Sequence, residues 1–253
     1  MDRGIYVASS AGLVSNRRLD IVAQNLANAN TVGYKAERLI TRQQEFQDTL
    51  ASAMPKQQSR AAADQNQIPG VVNTATITDF TQGPVNFTGN PLNAALTNEK
   101  QFFAVQTDGG EEYTKAGNFT LNSAGGLVTA DGKAVLGEGG PITINAGSTA
   151  SISNNGTILV DGQSIGKIKV VQFDDLKQLT RTEGTRFKAN GAQAASADNS
   201  SLIPASVEMA NTGVVESMVE MISANKSFES YAKLVQTISE LNDQALRTPR
   251  SVG

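Results

Sequence analysis

The side chains of this sequence best equipped for chemistry are its carboxylates, because it contains neither cysteine nor histidine. Without cysteine there are no disulfides, no thiolate nucleophile and no thiolate metal ligands. Without histidine the commonest general base and the commonest metal ligand are missing. An enzyme would have to run on carboxylates, Lys, Tyr or Ser alone, and a carboxylate-based hydrolase would need two acids on facing strands. Asp131-Gly132-Lys133 and Asp161-Gly162-Gln163 are the first candidates. Each has a backbone reason to be there, since Asp-Gly builds tight turns. Asp174-Asp175 and Glu111-Glu112 are adjacent pairs, and neighbours on a strand point to opposite faces, so neither is a shared acid site. Gly137-Glu138-Gly139-Gly140 has neither the spacing nor the following helix of a dinucleotide loop. No motif supports catalysis, a cofactor or a metal, and the chain reads as a non-enzyme.

The patterning of the two ends is more informative. Ile5, Ala8, Gly12, Ser15, Leu19, Val22 and Leu26 follow the alternating three-four spacing of one seam on a helix, expected from about residue 4 to 29. It stops at Asn28-Ala29-Asn30-Thr31-Val32-Gly33-Tyr34-Lys35, where Asn and Gly allow the left-handed turn that ends a helix. Val214, Met218, Met221, Asn225, Phe228, Ala232 and Val235 draw a similar seam on a helix expected over about 214–246. The first seam is poor in large side chains, which suits close approach of neighbours and leaves the helix marginal alone. Residues 1–35 carry a net charge of +2 and residues 207–246 one of −4, so opposite signs favour contact between the ends.

Between the ends the character changes. Sixteen of the 23 glycines fall between residues 75 and 190, punctuating short β-prone runs. Strands are expected at Thr76–Phe80, Phe102–Thr107, Glu112–Lys115, Asn118–Asn122, Gly126–Ala130, Pro141–Asn145, Thr157–Val160 and Lys167–Phe173. Asp108-Gly109, Asp131-Gly132, Asn155-Gly156 and Asp161-Gly162 are hairpin signals between them. The expected architecture is α+β: terminal helices pairing as a coiled-coil-like layer around a central antiparallel all-β domain. The expected division is 1–35 with 207–253 as the helical part, 36–74 as a linker or extension, 75–190 as the β domain and 191–206 as a second linker. In the first linker Ile40, Gln43, Phe46 and Leu50 could extend a helix, and Gln57 to Gln67 has almost nothing to bury.

Bulk properties agree with a water-soluble chain: 253 residues, 39% hydrophobic content and a mean hydropathy of −0.24. No apolar run is long enough for a membrane span, and no basic start with an apolar stretch predicts a cleaved signal peptide. A net charge of −3 with few aromatics argues against nucleic acid as a partner.

Asn25-Leu26-Ala27-Asn28-Ala29-Asn30-Thr31-Val32-Gly33-Tyr34-Lys35 closely resembles the amino-terminal signature of bacterial flagellar rod and hook proteins, N-L-A-N-x-x-T-x-G-[YF]-K. Phe80-Thr81-Gln82-Gly83-Pro84 through Thr88-Gly89-Asn90-Pro91-Leu92 resembles the family's entry to its β domain. Tyr113-Thr114-Lys115-Ala116-Gly117-Asn118-Phe119, Leu127-Val128-Thr129 and Val135-Leu136-Gly137 are similar to its hairpin region, and Ser227-Phe228-Glu229 to its closing helix. One departure stands out: Asn98-Glu99-Lys100-Gln101 precedes Phe102-Phe103 where the family usually has a glycine-containing turn.

The resemblance implies a structural subunit of the flagellar basal-body rod that polymerises through its terminal helices into a hollow drive shaft. The size and the segment Leu241-Asn242-Asp243-Gln244-Ala245-Leu246 look most like the proximal rod subunit, with the distal subunit as the alternative. A secreted β-domain binding module on a coiled-coil stalk is the competing reading from another class. The implied partners are copies of the chain, other rod subunits and the flagellar type III export apparatus, with no membrane insertion. The implied location is the periplasmic part of the basal body. The residues expected to carry assembly are Ile5, Ala8, Gly12, Leu19, Val22, Asn25, Leu26, Asn28, Thr31, Gly33, Tyr34, Lys35, Val214, Met218, Met221, Phe228 and Val235. On this expectation the turn around Gly33 serves assembly and leaves the stability of the β domain untouched.

Overall fold

The computed structural model describes residues 2–45, 69–145, 148–197 and 201–247. Two helices, α1 (Asp2–Ala27) and α2 (Val214–Arg247), flank a succession of short strands. Their bounds fall within a few residues of those expected, because each end has a local signal. Asn28 and Gly33 stop α1, and Asn211-Thr212-Gly213 precedes α2.

Contacts group the chain into two units: residues 1–25, 37–77 and 215–253 form one, and residues 26–36 and 78–214 form the other. The first unit contains most of both helices and a two-stranded ribbon of Glu37–Glu45 with Pro69–Thr78. The ribbon corrects the expected linker at 36–74. Ile40 and Gln43 lie on a strand, not a helix, because the β-prone run Val71–Thr78 supplies a partner that local propensity does not reveal. Phe46, Leu50 and Gln57 to Gln67 fall outside the described residues.

The second unit is the β domain, and every strand pairing given for it is antiparallel. Its main sheet runs, in spatial order, Leu179–Arg181, Arg186–Ala189, Gly110–Thr114, Gln101–Thr107, Ala134–Gly137, Leu127–Val128 and Thr120–Leu121. Val170–Gln172 also pairs with Gln101–Phe103 and with Ala195–Ser196. Leu202–Pro204 pairs with Ala94–Leu96, and Ser206–Glu208 with Val85–Phe87. The expected second linker, 191–206, is therefore a run of strands belonging to the β domain. Leu202 is 2% exposed in the same cluster as Phe103 and Phe119, so burial outweighs the Ala-, Ser- and Asn-rich composition around it.

The strand Gln101–Val105 is buried along its whole length. Phe103 belongs to a cluster with Phe119, Leu127, Val135 and Ile158, and Phe102 to a second one with Phe80, Phe173 and Phe187. Alternate residues thus feed two clusters on opposite faces. The same holds for Val170 and Val171, which accounts for the imperfect alternation in Lys167–Phe173.

The hairpin signals act as expected. Asp161 and Gly162 have φ of 51° and 83° and link Thr157–Val160 to Gln163–Lys167, with Val160 opposite Gln163. Positive φ at both positions is the type I′ requirement, met here by Asp-Gly. Glu111 pairs with Lys169 at 2.7 Å and Glu112 with Arg186 at 2.8 Å, so the adjacent acids are separated and each meets a cation from a different segment. Asp131 also pairs with Arg186.

Candidate functional site

The segment Leu26–Ala36 belongs to the β unit, although most of α1 does not. After α1 the chain closes one turn, with the Thr31 amide donating to the Asn28 carbonyl at 2.9 Å and the Thr31 hydroxyl to Asn28 Oδ1 at 3.2 Å. Gly33 follows at φ 69°, the left-handed region. A Cβ at Gly33 would lie 2.3 Å from the Ala116 backbone nitrogen, so glycine is required twice, by conformation and by close approach. The Gly33 amide donates to the Glu208 carbonyl at 2.7 Å.

Two residues on, Lys35 is wholly buried. Its Nζ donates to Glu208 Oε1 at 2.6 Å and to the Thr81 carbonyl at 2.6 Å. Glu208 Oε1 also accepts the Gly83 amide at 2.9 Å. Gly83 is held close as well, since a Cβ there would lie 2.2 Å from the Met209 carbonyl oxygen. Tyr34, 1% exposed, stacks under the Arg181 guanidinium at 4.6 Å, and Arg181 Nη2 donates to the Lys35 carbonyl. Asn211 completes the tie: its Oδ1 accepts the Ala36 amide at 2.7 Å and its Nδ2 donates to the Asp79 carbonyl at 2.8 Å. Three distant stretches (33–36, 79–83 and 208–211) are thus joined by side chains that satisfy buried backbone groups.

The electrostatics are those of a closed lock. A buried ion pair is costly to desolvate and becomes tolerable when further hydrogen bonds occupy its remaining atoms, as Thr81 and Gly83 do here. Lys35 and Glu208, drawn from the two oppositely charged ends of the sequence, thus form one buried pair. The neighbouring Lys115 is also buried, and burial pushes its amine down to about 7.

In the other unit Asn25 performs a similar task. Its Nδ2 donates to the Glu37 carbonyl at 2.8 Å and its Oδ1 accepts the Glu37 amide at 3.0 Å. Both polar groups of one strand residue are thereby satisfied by one side chain.

The comparisons with known proteins follow the same stretches. Residues 5–35 match the family described as flagella basal body rod protein, residues 98–160 the flagellar hook protein FlgE/F/G D1 domain, and residues 204–248 the flagellar basal body rod FlgEFG protein C-terminal region. The flagellar basal-body rod protein FlgF of Caulobacter vibrioides is 32% identical over 97% of this chain and 97% of its own length. FlgF of Salmonella typhimurium is 30% identical over 97% of each chain. FlgG of Bacillus subtilis is 29% identical over 99% of this chain and all of its own. The chain belongs to the flagellar basal-body rod protein family.

For a member of this family, the expected assembly residues divide into two groups. Asn25, Gly33, Tyr34 and Lys35 are buried within a single chain, and Asn28 and Thr31 are partly buried and bonded to each other. This corrects the expectation that the turn leaves β-domain stability untouched, because Gly33 and Lys35 are internal parts of that domain. On α1, Val22 is buried while Gly12, Leu19 and Leu26 are partly exposed, and a Cβ at Gly12 would meet nothing within 4 Å. Ile5 and Ala8 lie on α1, and their side chains are outside the described part.

On α2, Val214, Met221 and Val235 are partly buried, whereas Met218 and Phe228 are 51% and 39% exposed. The less exposed side runs through Ser217 and Ala224, both 2% exposed, at three-four spacing from Val214 and Met221.

Sequence reasoning passed over Glu208, Asn211, Arg181 and Lys115. Glu208 stands on the strand Ser206–Glu208, six residues before α2. Its distance of 173 positions from Lys35 left no local signal of the pair. The departure at Asn98–Gln101 also resolves: Asn98 Oδ1 accepts the Lys100 amide at 2.9 Å, and the Gln101 amide donates to the Asn98 carbonyl at 3.2 Å. An asparagine side chain builds the turn without a glycine.

Proposed function

We propose that this chain is a structural subunit of the flagellar basal-body rod that polymerises through its terminal helices. The observation that carries the reading is the outer side of α2. Val215, Met218, Val219 and Ile222 are 76%, 51%, 63% and 58% exposed, at i, i+3, i+4 and i+7 on the first two turns. Four large apolar side chains in one stripe, on a helix whose other side already holds Ser217 and Ala224, form a surface that a neighbouring subunit would cover. In the assembled rod, α1 and α2 pair in a coiled-coil-like layer. The seam residues Ile5, Ala8, Gly12, Leu19, Val22 and Leu26 and their partners Val214, Met221, Phe228 and Val235 supply its packing. The small side chains on α1 support this reading, since they admit close neighbours.

The partners are further copies and the other axial subunits, joined head to tail so that contacts propagate without closing. The chain reaches the periplasmic part of the basal body through the type III export apparatus. None of its described helices is long and apolar enough to cross a membrane. The closing segment Leu241–Leu246 supports the proximal position, and full-length similarity to both FlgF and FlgG keeps the distal position as the second reading. Cells lacking the chain, complemented with Val219→Asp or Phe228→Asp, test the proposal. The expected result is secreted, folded protein, basal bodies without this subunit and no motility. Normal incorporation of both variants would reject assembly through α2.

A further inference from the structure

An asparagine followed by a glycine is a chemically weak pair, because glycine has no Cβ to shield its amide nitrogen from the asparagine carboxamide. The sequence holds two such pairs, Asn155-Gly156 and Asn190-Gly191. Both lie in the β unit, and both asparagines are exposed. Their glycines have nearly the same left-handed φ, 82° and 83°. Backbone conformation at the glycine therefore does not separate the pairs. Hydrogen bonding does.

At the first pair both reacting groups are engaged. The Gly156 amide donates to the Ser153 carbonyl at 2.9 Å. Asn155 Oδ1 accepts the Ser153 hydroxyl at 2.7 Å and the Thr157 amide at 3.1 Å. Turning the Asn155 carboxamide onto the Gly156 nitrogen would break these bonds. Gly156 is also buried, and its carbonyl accepts the Ile168 amide at 2.9 Å.

The second pair follows the strand Arg186–Ala189. The Asn190 amide donates to the Gln178 carbonyl at 3.0 Å, and Asn190 Nδ2 donates to the Thr180 hydroxyl at 2.5 Å. Neither bond occupies the Gly191 nitrogen or Asn190 Oδ1, and among the described residues neither atom has a hydrogen-bond partner. Gly191 is exposed, and a Cβ on it would meet nothing within 4 Å.

We propose that Asn190-Gly191 is a deamidation site of the folded chain, and that the turn at Asn155-Gly156 keeps the other pair intact. The Gly191 nitrogen bonds to Asn190 Cγ as the Cγ–Nδ2 bond breaks. The proton lost by the amide returns through solvent to Nδ2, which leaves as ammonia. The cyclic imide then takes up a water molecule. Opening at Cγ gives aspartate, and opening at the main-chain carbonyl gives isoaspartate, which lengthens the backbone by a carbon. Nothing is oxidised or reduced. Either product replaces the donor to Thr180 by a carboxylate, next to the rung of Leu179 with Ala189 at the edge of the main sheet. The inference rests on the β unit alone and is independent of how the chain assembles.

Peptide mass mapping of the full chain, aged in mildly alkaline buffer and in concentrated urea, tests it. In the folded chain the peptide carrying Asn190 should deamidate about tenfold or more faster than the one carrying Asn155, since the hydrogen bonds at Asn155 must first open. In urea the two rates should converge, because both are then plain asparagine-glycine pairs. Equal rates in the folded chain, faster loss at Asn155, or the same ratio in urea as in buffer would each overturn the proposal. So would an Asn190 that stays intact in the folded chain while it reacts in urea.

Discussion

The turn Leu26–Ala36 and the first turns of α2 lie in stretches matched by the family's two terminal regions, and they place their side chains in opposite ways. In the turn, Gly33, Tyr34 and Lys35 are all buried, and Lys35 and Glu208 form an ion pair in which Nζ also donates to the Thr81 carbonyl and Oε1 also accepts the Gly83 amide. On α2, Val215, Met218, Val219 and Ile222 face outward with no ordered role in the single chain. The first region is completed within one chain; the second exposes apolar side chains that the proposed assembly would cover. A family signature is therefore not one kind of site. Part of it is built into the β unit, and part of it exposes an apolar stripe.

The comparison breaks most visibly at the buried pair. Lys35→Met or Glu208→Gln should each destabilise the chain by about 3–5 kcal/mol, because either leaves an uncompensated buried group. Urea melts of the two single variants and the Lys35→Met/Glu208→Gln double variant would measure it. The double variant should lose less than the sum, and strict additivity would deny the pairing.

Gly33→Val should come next. Backbone strain at φ 69° costs about 1–3 kcal/mol, and the contact with Ala116 adds to it. Thermal unfolding should shift downward together with loss of incorporation into rods. An unchanged melt would return the turn to a purely assembly role.

A smaller effect separates the titratable groups. Burial, with the charge and hydrogen bond of Glu111, pushes Tyr113 up to about 12 from 10.0. Its contribution to stability is complete below about 10 and is lost as pH rises towards 12. Chemical denaturation across that window should show falling stability, and Tyr113→Phe should flatten the fall.

The smallest effect on the monomer belongs to α2. Val219→Asp and Met218→Asp should change the melting free energy by no more than about 0.5 kcal/mol, since exposed positions carry little folding energy. Their effect should appear only in rod incorporation. A large destabilisation of the monomer would mean that this side of α2 is already covered within the chain.

Local signals and distant ones fared differently. Both helices, the hairpin turns at Asp161-Gly162 and Asn155-Gly156, and the antiparallel β character of the middle were legible, because each rests on periodicity or on φ preferences carried by adjacent residues. The ribbon of Glu37–Glu45 with Pro69–Thr78 and the strand Leu202–Pro204 were not legible, since a strand in a polar or small-residue run is defined by the partner it finds. The face of Lys167–Phe173 was ambiguous for a different reason: Val170 and Val171 enter separate clusters, so the alternation that reveals a half-buried strand is absent.

For the candidate site, spacing along Asn25–Lys35 marked the right stretch but not its work. Sequence alone determined that a helix ends there, that Asn and Gly allow the turn, and that the ends carry opposite charge. Only the tertiary structure decided that Lys35 is neutralised by Glu208, that Asn211 takes the Ala36 amide, and that Arg181 covers Tyr34. The physical reason is range. Backbone conformation is set by atoms a few bonds apart, whereas a buried charge is neutralised by whichever partner the fold brings to it, here one 173 residues away.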